Sequence, residues 1–325
     1  MNNTYIKFTV VLLLFAAAPF FLPLFHINLF SEILILAIFA LSLNVILGYT
    51  GMVSLGHAAF FGTGAYAAGI IAQNVSSNLL LSLIGAIAIS IVLAGVIGIF
   101  CMKVSGFYFL MLTLAFSQMV YSFVYQANQW TGGSNGLSGI PRPMLFGFEI
   151  SSAVLIFYMI VIVFMVLFAG LRVLIKSPFG QVLVGIRENE TRLKSMGYNT
   201  SIYKYVAFII SGSIGGLSGS LYTYFNGFIA PSDVYWTMSG TVLIMVLIGG
   251  AGTMAGPVWG AALIVLLETV IAMYTDMWML ILGSIFIIFV IFFPSGIYGI
   301  WQDITCKMQK PKARPEVNKV KREHV

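Results

Sequence analysis

Charged residues are scarce in this 325-residue chain, since they make up only 8% of the sequence while apolar residues make up 60%. Soluble domains carry roughly 25% charged residues. A chain with so little charge cannot cover a soluble surface, and this composition therefore excludes a soluble globular protein. It predicts an all-α polytopic membrane protein, because the apolar runs are long enough for helices that cross a bilayer.

Cysteine and histidine are also few, and they are widely spaced. Cys101 and Cys306 both fall on the side predicted to be cytoplasmic, where thiols stay reduced, so no disulfide is predicted. The three histidines, His26, His57 and His324, are too far apart in sequence to suggest a shared metal ion. We therefore expect no metal site. We also expect no cofactor and no nucleic-acid partner.

A phosphate-binding loop of the form GxxxxGK[ST] is absent from the sequence. This absence argues that the chain does not hydrolyse nucleotide by itself. The protein is predicted not to be an enzyme, and any use of ATP must then belong to another polypeptide.

Apolar runs of about 20 residues, the length needed to cross a bilayer, recur along most of the chain. We predict ten spans, at 7–25, 30–48, 52–72, 79–101, 104–127, 150–171, 204–228, 237–254, 257–274 and 279–298. The third and eighth are rich in glycine, which also suits a bent or partly re-entrant helix. The first run has no small-residue cleavage site behind it, so it is predicted to be an anchor and not a removable signal.

Basic residues set the predicted orientation, because they favour the cytoplasmic side in short loops. With loop 172–204 inside, both termini lie inside, and fifteen of the sixteen lysines and arginines are cytoplasmic. Only Arg142, in the predicted external loop 128–149, is outside. We therefore divide the chain into a transmembrane domain, residues 1–300, and a basic cytoplasmic tail, residues 301–325. The tail is predicted to be disordered and either to lie against anionic lipid headgroups or to act only as topogenic charge.

Glu268 is the only acidic residue well inside a predicted span. Carriers that are coupled to protons or sodium commonly build their coupling site from buried carboxylates, histidines or broken helices near the midplane. One candidate acid is poor material for a proton relay. Two other interpretations stay open, in which Glu268 pairs with a polar neighbour or reaches the external surface.

Glycine and small polar residues are concentrated between Gly48 and Gly69. Close helix packing explains most of the glycines. An imidazole inside a span, however, needs either a polar partner or a water-filled cavity. We therefore predict a translocation path lined by polar residues in or next to this stretch: Asn44, Ser54, His57 and Thr63.

The glycine-rich segment Ile248–Gly260 loosely resembles the spacing of glycines between Gly48 and Gly62. If this similarity marks an internal repeat, dividing ten spans into five and five makes two halves that are inverted in the membrane.

The loop at 172–204 is amphipathic and carries six of the sixteen basic residues. Ser177 and Pro178 form a favourable helix start, as N-cap and first helical residue. Gly197 is a favourable helix stop. The sequence between them predicts one short surface helix or two, acting either as an interfacial helix or as a docking element.

Four long motifs occur in order along the chain: LSLNVILGYTGMVSLGHAAFFGTGAYAAG (Leu41–Gly69), TGGSNGLSGIPRP (Thr131–Pro143), FGQVLVGIRENETRLKSMGYNTSIYKYVAF (Phe179–Phe208) and IGGAGTMAGPVWGA (Ile248–Ala261). With them, the chain from about residue 30 to 300 resembles the permeases of branched-chain amino-acid ABC importers, most closely the larger, M-type subunit. The resemblance implies the ABC importer permease fold and uptake of leucine, isoleucine and valine across a bacterial or archaeal cytoplasmic (inner) membrane. It also implies several partners: two cytoplasmic ATPase subunits, a sister permease and a periplasmic or lipid-anchored binding protein, besides the membrane lipids.

The resemblance also implies roles for particular residues. The cytoplasmic segment that couples to the ATPase falls on six positions: Arg187, Glu188, Asn189, Glu190, Met196 and Gly197. Where the general importer pattern has two alanines after the glutamate, this chain has Thr191 and Arg192, which leaves the individual ATPase contacts open. The binding protein is expected to contact the external loop at Asn135 and Arg142, although that loop could equally be a solvated connector.

Three classes of function therefore stay open at this point. The first is an ABC importer permease, for which short amides or urea are rival substrates. The second is an ion-coupled carrier dependent on Glu268, and the third is a membrane scaffold that transports nothing.

Overall fold

The computed structural model describes residues 19, 22–145, 147–275, 277, 280–281, 283–287, 296–297 and 299. Most of the first and tenth predicted spans and all of the basic tail lie outside the described residues. The rest is a bundle of helices, which we number in chain order: α1 (Leu24–Thr50), α2 (His57–Asn74), α3 (Leu79–Cys101), α4 (Phe107–Gln126), α5 (Asn128–Thr131), α6 (Ala153–Lys176), α7 (Pro178–Ser195), α8 (Thr200–Asn226), α9 (Trp236–Gly249) and α10 (Gly256–Ala272).

Five of these helices, α1, α3, α4, α6 and α8, are long and apolar enough to cross a membrane. Helix α1 is the centre of the bundle, and its apolar residues lie on all sides. In its most apolar 18-residue stretch, 83% of the residues are buried. It packs against α6, α8, α9 and α10. A helix that is apolar all round is stable only when other helices or lipid surround it. The chain is therefore a multi-pass helical membrane protein, as the composition predicts.

Helices α2 and α8 cross at backbone contact distance. A Cβ atom added at Gly64 would lie 2.1 Å from the Gly216 carbonyl oxygen, and one added at Gly219 would lie 1.8 Å from the Phe61 carbonyl oxygen. No side chain fits in these gaps. The glycines that the sequence assigns to close packing therefore serve that purpose here.

Short strands and 3-10 turns connect the helices at one end of the bundle, which we call the β end. Strand β1 (Leu137–Ser138) pairs with β4 (Phe228–Ile229), and β2 (Met144–Leu145) pairs with β3 (Phe148–Glu149), both antiparallel. The 3-10 turns are Gly133–Asn135 and Pro231–Val234. The predicted external loop is thus tied to the connection between α8 and α9. The opposite end, where α7 lies, is called the α7 end.

The third and eighth predicted spans differ from the helices that replace them. The predicted span at 52–72 begins as helix only at His57, because residues 51–56 are irregular. Helix α9 has 14 residues where the predicted eighth span has 18. At 1.5 Å per residue it is about 21 Å long, shorter than the roughly 30 Å hydrocarbon core.

The two glycine-rich turns compared above lie together at the α7 end. A Cβ atom added at Gly48 would lie 2.4 Å from the Gly252 backbone nitrogen. Helices α1 and α9 both run toward this end, and α2 and α10 both run away from it. If the two turns were equivalent parts of a repeat, the helices before and after them would run in the same direction in both halves. Inverted halves require opposite directions, so the similarity between the turns does not support them.

Candidate functional site

Helix α7 and the turn after it form a surface hairpin with α8 at the α7 end. The Ser177 hydroxyl accepts a hydrogen bond from the Gly180 amide, and Pro178 is the first helical residue. The helix breaks at Asn189, where φ is −160° and ψ is 94°, and it ends before Gly197, whose φ is 89°. The predicted start and stop are confirmed, and of the two arrangements left open the structure has two short helices that meet at Asn189.

Glu190 is held by its own chain. Its carboxylate accepts hydrogen bonds from Lys204 Nζ at 2.9 Å and from Thr200 Oγ1 at 3.0 Å, and it forms an ion pair with Lys194 at 2.9 Å. Partial burial opposes ionisation of this carboxyl, but the hydrogen bonds from Lys204, Lys194 and Thr200 outweigh burial and lower the pKa to about 2. Glu190 therefore fixes α7 to the first turn of α8.

Arg187 also turns toward the bundle, because its guanidinium donates a hydrogen bond to the Gly48 carbonyl at the end of α1. The Asn189 side-chain oxygen accepts from the Arg192 amide at 2.9 Å and so caps the second half of α7. Arg187 and Asn189 make these contacts although both residues are exposed. Glu188 and Met196 are exposed as well, and Met196 is 67% exposed. The six residues of the expected coupling segment are thus divided between internal contacts and a free surface.

An open apolar hollow of about 580 Å³ lies on this free surface, between α7 and the start of α8. Aromatic rings form one wall, where Phe179 stacks on Tyr203 with ring centroids 5.7 Å apart. Leu193 and Met196 line it from the second half of α7. The hollow is lined mainly by apolar side chains and is open to the surface.

The polar residues of the predicted translocation path are mostly buried and hydrogen-bonded. His57 Nε2 lies 2.7 Å from Ser211 Oγ on α8, and Nδ1 lies 3.4 Å from Ser54 Oγ. Because Ser211 donates its own proton to the Ser42 carbonyl, its oxygen accepts from His57 Nε2–H. Ser211 and Ser54 are thus the polar partners that a fully buried imidazole requires.

Asn44 and Thr63 differ in their surroundings. Asn44 is 1% exposed, and its amide bonds to the backbone of the turn between α9 and α10. Thr63 is half-buried, and its hydroxyl donates to the Ala59 carbonyl of its own helix at 2.6 Å. The four path residues therefore belong to three separate sets of contacts in this conformation.

Asn135 and Arg142 are both exposed at the β end, at the opposite end of the bundle from α7. The segment around them is anchored by the Gln73 amide, which donates to the Ser138 carbonyl at 2.8 Å, and by the Met144 amide, which donates to Ser77. A surface partner could reach both side chains without any rearrangement of the bundle.

Glu268 is half-buried near the β end of α10, and its charge interacts with that of Glu32 on α1. Among the described residues, neither carboxyl forms an ion pair with a basic residue. A nearby group of the same charge is not a pairing partner, so pairing with a polar neighbour and contact with the external surface both stay predictions for Glu268.

Sequence reasoning missed the hydroxyls that bond backbone amides around the start of α2 and the lysine that bonds Glu190 at the α7 end. Thr113 accepts from the Leu55 amide at 3.3 Å and Ser239 accepts from the Ala58 amide at 2.7 Å, so side chains of α4 and α9 satisfy the start of α2. Lys204 is almost buried against Glu190. A basic residue inside the first turns of an apolar helix was the one available signal, and it applied only to Lys204.

Comparisons with known proteins agree with this architecture. A profile of the family described as "Branched-chain amino acid transport system / permease component" matches residues 25–290. The chain is 27% identical to the high-affinity branched-chain amino acid transport system permease protein LivM of Salmonella typhimurium, over 89% of this chain and 74% of the relative. The LivM of Escherichia coli gives the same identity and coverage. A probable branched-chain amino acid transport permease protein LivM of Methanocaldococcus jannaschii is also 27% identical, over 84% of this chain and 93% of the relative.

The fold defines a multi-pass helical membrane protein with a polar surface hairpin. The chain belongs to the family of branched-chain amino-acid ABC transport permeases. No solved structure matches it.

Proposed function

We propose that the chain is one membrane-spanning subunit of an ATP-driven importer that moves leucine, isoleucine and valine across the cytoplasmic membrane of a bacterium or archaeon. The observation that carries the proposal is the α7 hairpin, a surface element that joins an exposed apolar hollow to the centre of the bundle. Family membership supplies the substrate class.

The proposed partners follow from the same arrangement. Two ATPase subunits bind the α7 end, which is cytoplasmic, a sister permease completes the pore, and a binding protein delivers substrate to Asn135 and Arg142 at the external β end. ATP-driven closure of the ATPase dimer pushes α7, and the energy enters as a difference in stability between inward- and outward-facing packings. Glu188, Met196 and Gly197 provide the exposed docking surface.

The docking surface predicts a specific effect of charge. Met196→Asp places a carboxylate at the rim of the apolar hollow, where a partner side chain must be desolvated. We expect at least a tenfold loss of ATPase subunits that co-purify with the permease in mild detergent, with membrane insertion unchanged. Met196→Leu, which keeps both volume and polarity, should retain wild-type binding. Normal co-purification with Met196→Asp would refute this docking surface.

Substrate identity is tested in proteoliposomes that contain the complete transporter. Excess isoleucine or valine should compete with ATP-dependent uptake of labelled leucine, whereas urea and acetamide should not. Competition by urea would replace the amino-acid proposal with the short-amide alternative. Uptake that follows a proton or sodium gradient without ATP would instead support an ion-coupled carrier.

A further inference from the structure

The end of α1 leaves one backbone carbonyl for a partner outside the helix. Gly51 adopts the left-handed conformation, and its amide bonds the Leu47 carbonyl at 3.2 Å, while the Met52 amide bonds the Ile46 carbonyl at 3.0 Å. Because the amides of Gly51 and Met52 are bonded to these other carbonyls, neither of them bonds the Gly48 carbonyl. The Arg187 guanidinium of α7 donates to it. A cation at a helix C-terminus is also favoured by the helix dipole.

One turn earlier on α1, Asn44 fixes the same helix to the turn that joins α9 and α10. Its Nδ2 donates to the Thr253 carbonyl at 2.8 Å, and its Oδ1 accepts from the Gly252 amide at 2.9 Å. The Asn44 side chain is buried, so these two bonds are shielded from water. The amide group thus holds two consecutive residues of the turn.

The three segments meet at contact distance around Gly252. A Cβ atom there would lie 2.2 Å from Arg187 Nη1 and 2.9 Å from the Gly48 carbonyl oxygen, and φ is +85°. Residues with a side chain rarely adopt this φ, and a Cβ atom here would displace the guanidinium. Arg187 therefore touches both the end of α1 and the turn that Asn44 holds.

We infer that Arg187 and Asn44 are positioning residues that form a mechanical link from α7 through the end of α1 to the turn between α9 and α10. The inference rests on the proposed function and deepens it, since it names the contacts through which a displacement of α7 by the ATPase moves α1 and the turn between α9 and α10. Helix α1 is the buried centre of the bundle, so a displacement of its end is passed to every helix packed around it. In this assignment Arg187 does not bind the ATPase, and Asn44 does not contact cargo.

The link is tested first in the permease chain alone, by hydrogen exchange at the 250–255 turn. Arg187→Ala removes an exposed side chain, so the fold is expected to survive. We expect exchange in the 250–255 turn to rise at least fivefold, with exchange in residues 227–235 at the β end unchanged. Arg192→Ala removes the same charge from the same helix and should change neither segment. Unchanged exchange at 250–255 in Arg187→Ala would overturn the link whether or not the chain proves to be an importer.

The functional consequence is tested in the complete transporter in proteoliposomes, as the ratio of leucine taken up to ATP hydrolysed. Arg187→Ala should lower this ratio at least tenfold, while co-purification of the ATPase subunits stays normal. Asn44→Ala should act in the same way, and the double variant should be no worse than the more severe single one, because the two residues act in series. Loss of ATPase binding in Arg187→Ala, a normal ratio, or effects that multiply in the double variant would each overturn the inference. Absence of ATP-driven leucine uptake by the wild-type complex would refute the proposed function instead.

Discussion

At the scale of single residues, the α7 end is organised by charges that satisfy one another within the chain. Lys204 has an 11% exposed side chain against Glu190, while Lys194, on the same carboxylate, is 57% exposed. A hydrogen bond between charged groups gains strength as water is excluded from it. Lys204 is therefore expected to be the more important of the two partners.

Glu190 gives a prediction about pH. Its pKa is lowered from the ordinary 4.5 to about 2, so the carboxylate stabilises the folded hairpin above about pH 4.5, and this contribution is lost as the pH falls through about 2. A ¹³C-carboxyl titration of Glu190 in detergent should show a midpoint well below 4.5. Lys204→Met should raise that midpoint more than Lys194→Met does. A wild-type midpoint near 4.5, or equal shifts in the two variants, would show that these contacts do not form in solution.

Some of these residue roles are visible in the sequence and others are not. Ser177, Pro178 and Gly197 are recognised because capping depends on neighbours a few residues away. Lys194 lies four residues after Glu190 on the same helix, but Lys204, the less exposed partner, lies 14 residues further on. Its position depends on the hairpin angle between α7 and α8, which no local pattern specifies. His57 was recognised as needing a polar partner, but Ser211 lies 154 residues away along the chain.

At the scale of helices, apolar patterning predicts where spans lie but not how each one begins. Predicted span 79–101 coincides with α3 because Asn78 caps its first turn through a bond to the Leu80 amide. Helix α2 begins five residues later than predicted. Hydroxyls of α4 and α9 accept hydrogen bonds from backbone amides at and just before its start. These bonds take the place of helical hydrogen bonds, so the segment before α2 can be irregular.

The crossing of α2 and α8 provides a prediction at this scale. Gly219→Ala places a methyl group 1.8 Å from the Phe61 carbonyl oxygen, so the two backbones must separate. We expect a loss of about 1–3 kcal/mol of stability, the typical cost of overpacking, measured as a lower unfolding temperature in a single detergent. Gly170→Ala on α6, where a Cβ atom meets nothing within 4 Å, is the control and should be neutral or stabilising. Equal behaviour of the two variants would contradict the close crossing.

At the scale of the whole molecule, composition is enough to predict a membrane protein, because a chain with 8% charged residues cannot cover a surface that faces water and is stable in a bilayer. Five spans of sufficient length are present among the described residues, together with the shorter helices α9 and α10. The predicted total of ten, the sidedness and the inverted halves stay predictions. Short and irregular segments such as 51–56 and α9 depend on packing against neighbours, and hydropathy does not specify such packing.

The central claim is that energy reaches the bundle from a separate ATPase through α7. The most direct test compares proteoliposomes that hold the complete transporter with proteoliposomes that hold this chain alone, each with labelled leucine outside. The account predicts accumulation of leucine against its gradient only when the ATPases, the sister permease, the binding protein and ATP are all present. Accumulation by the chain alone, without ATP or companion proteins, would contradict it.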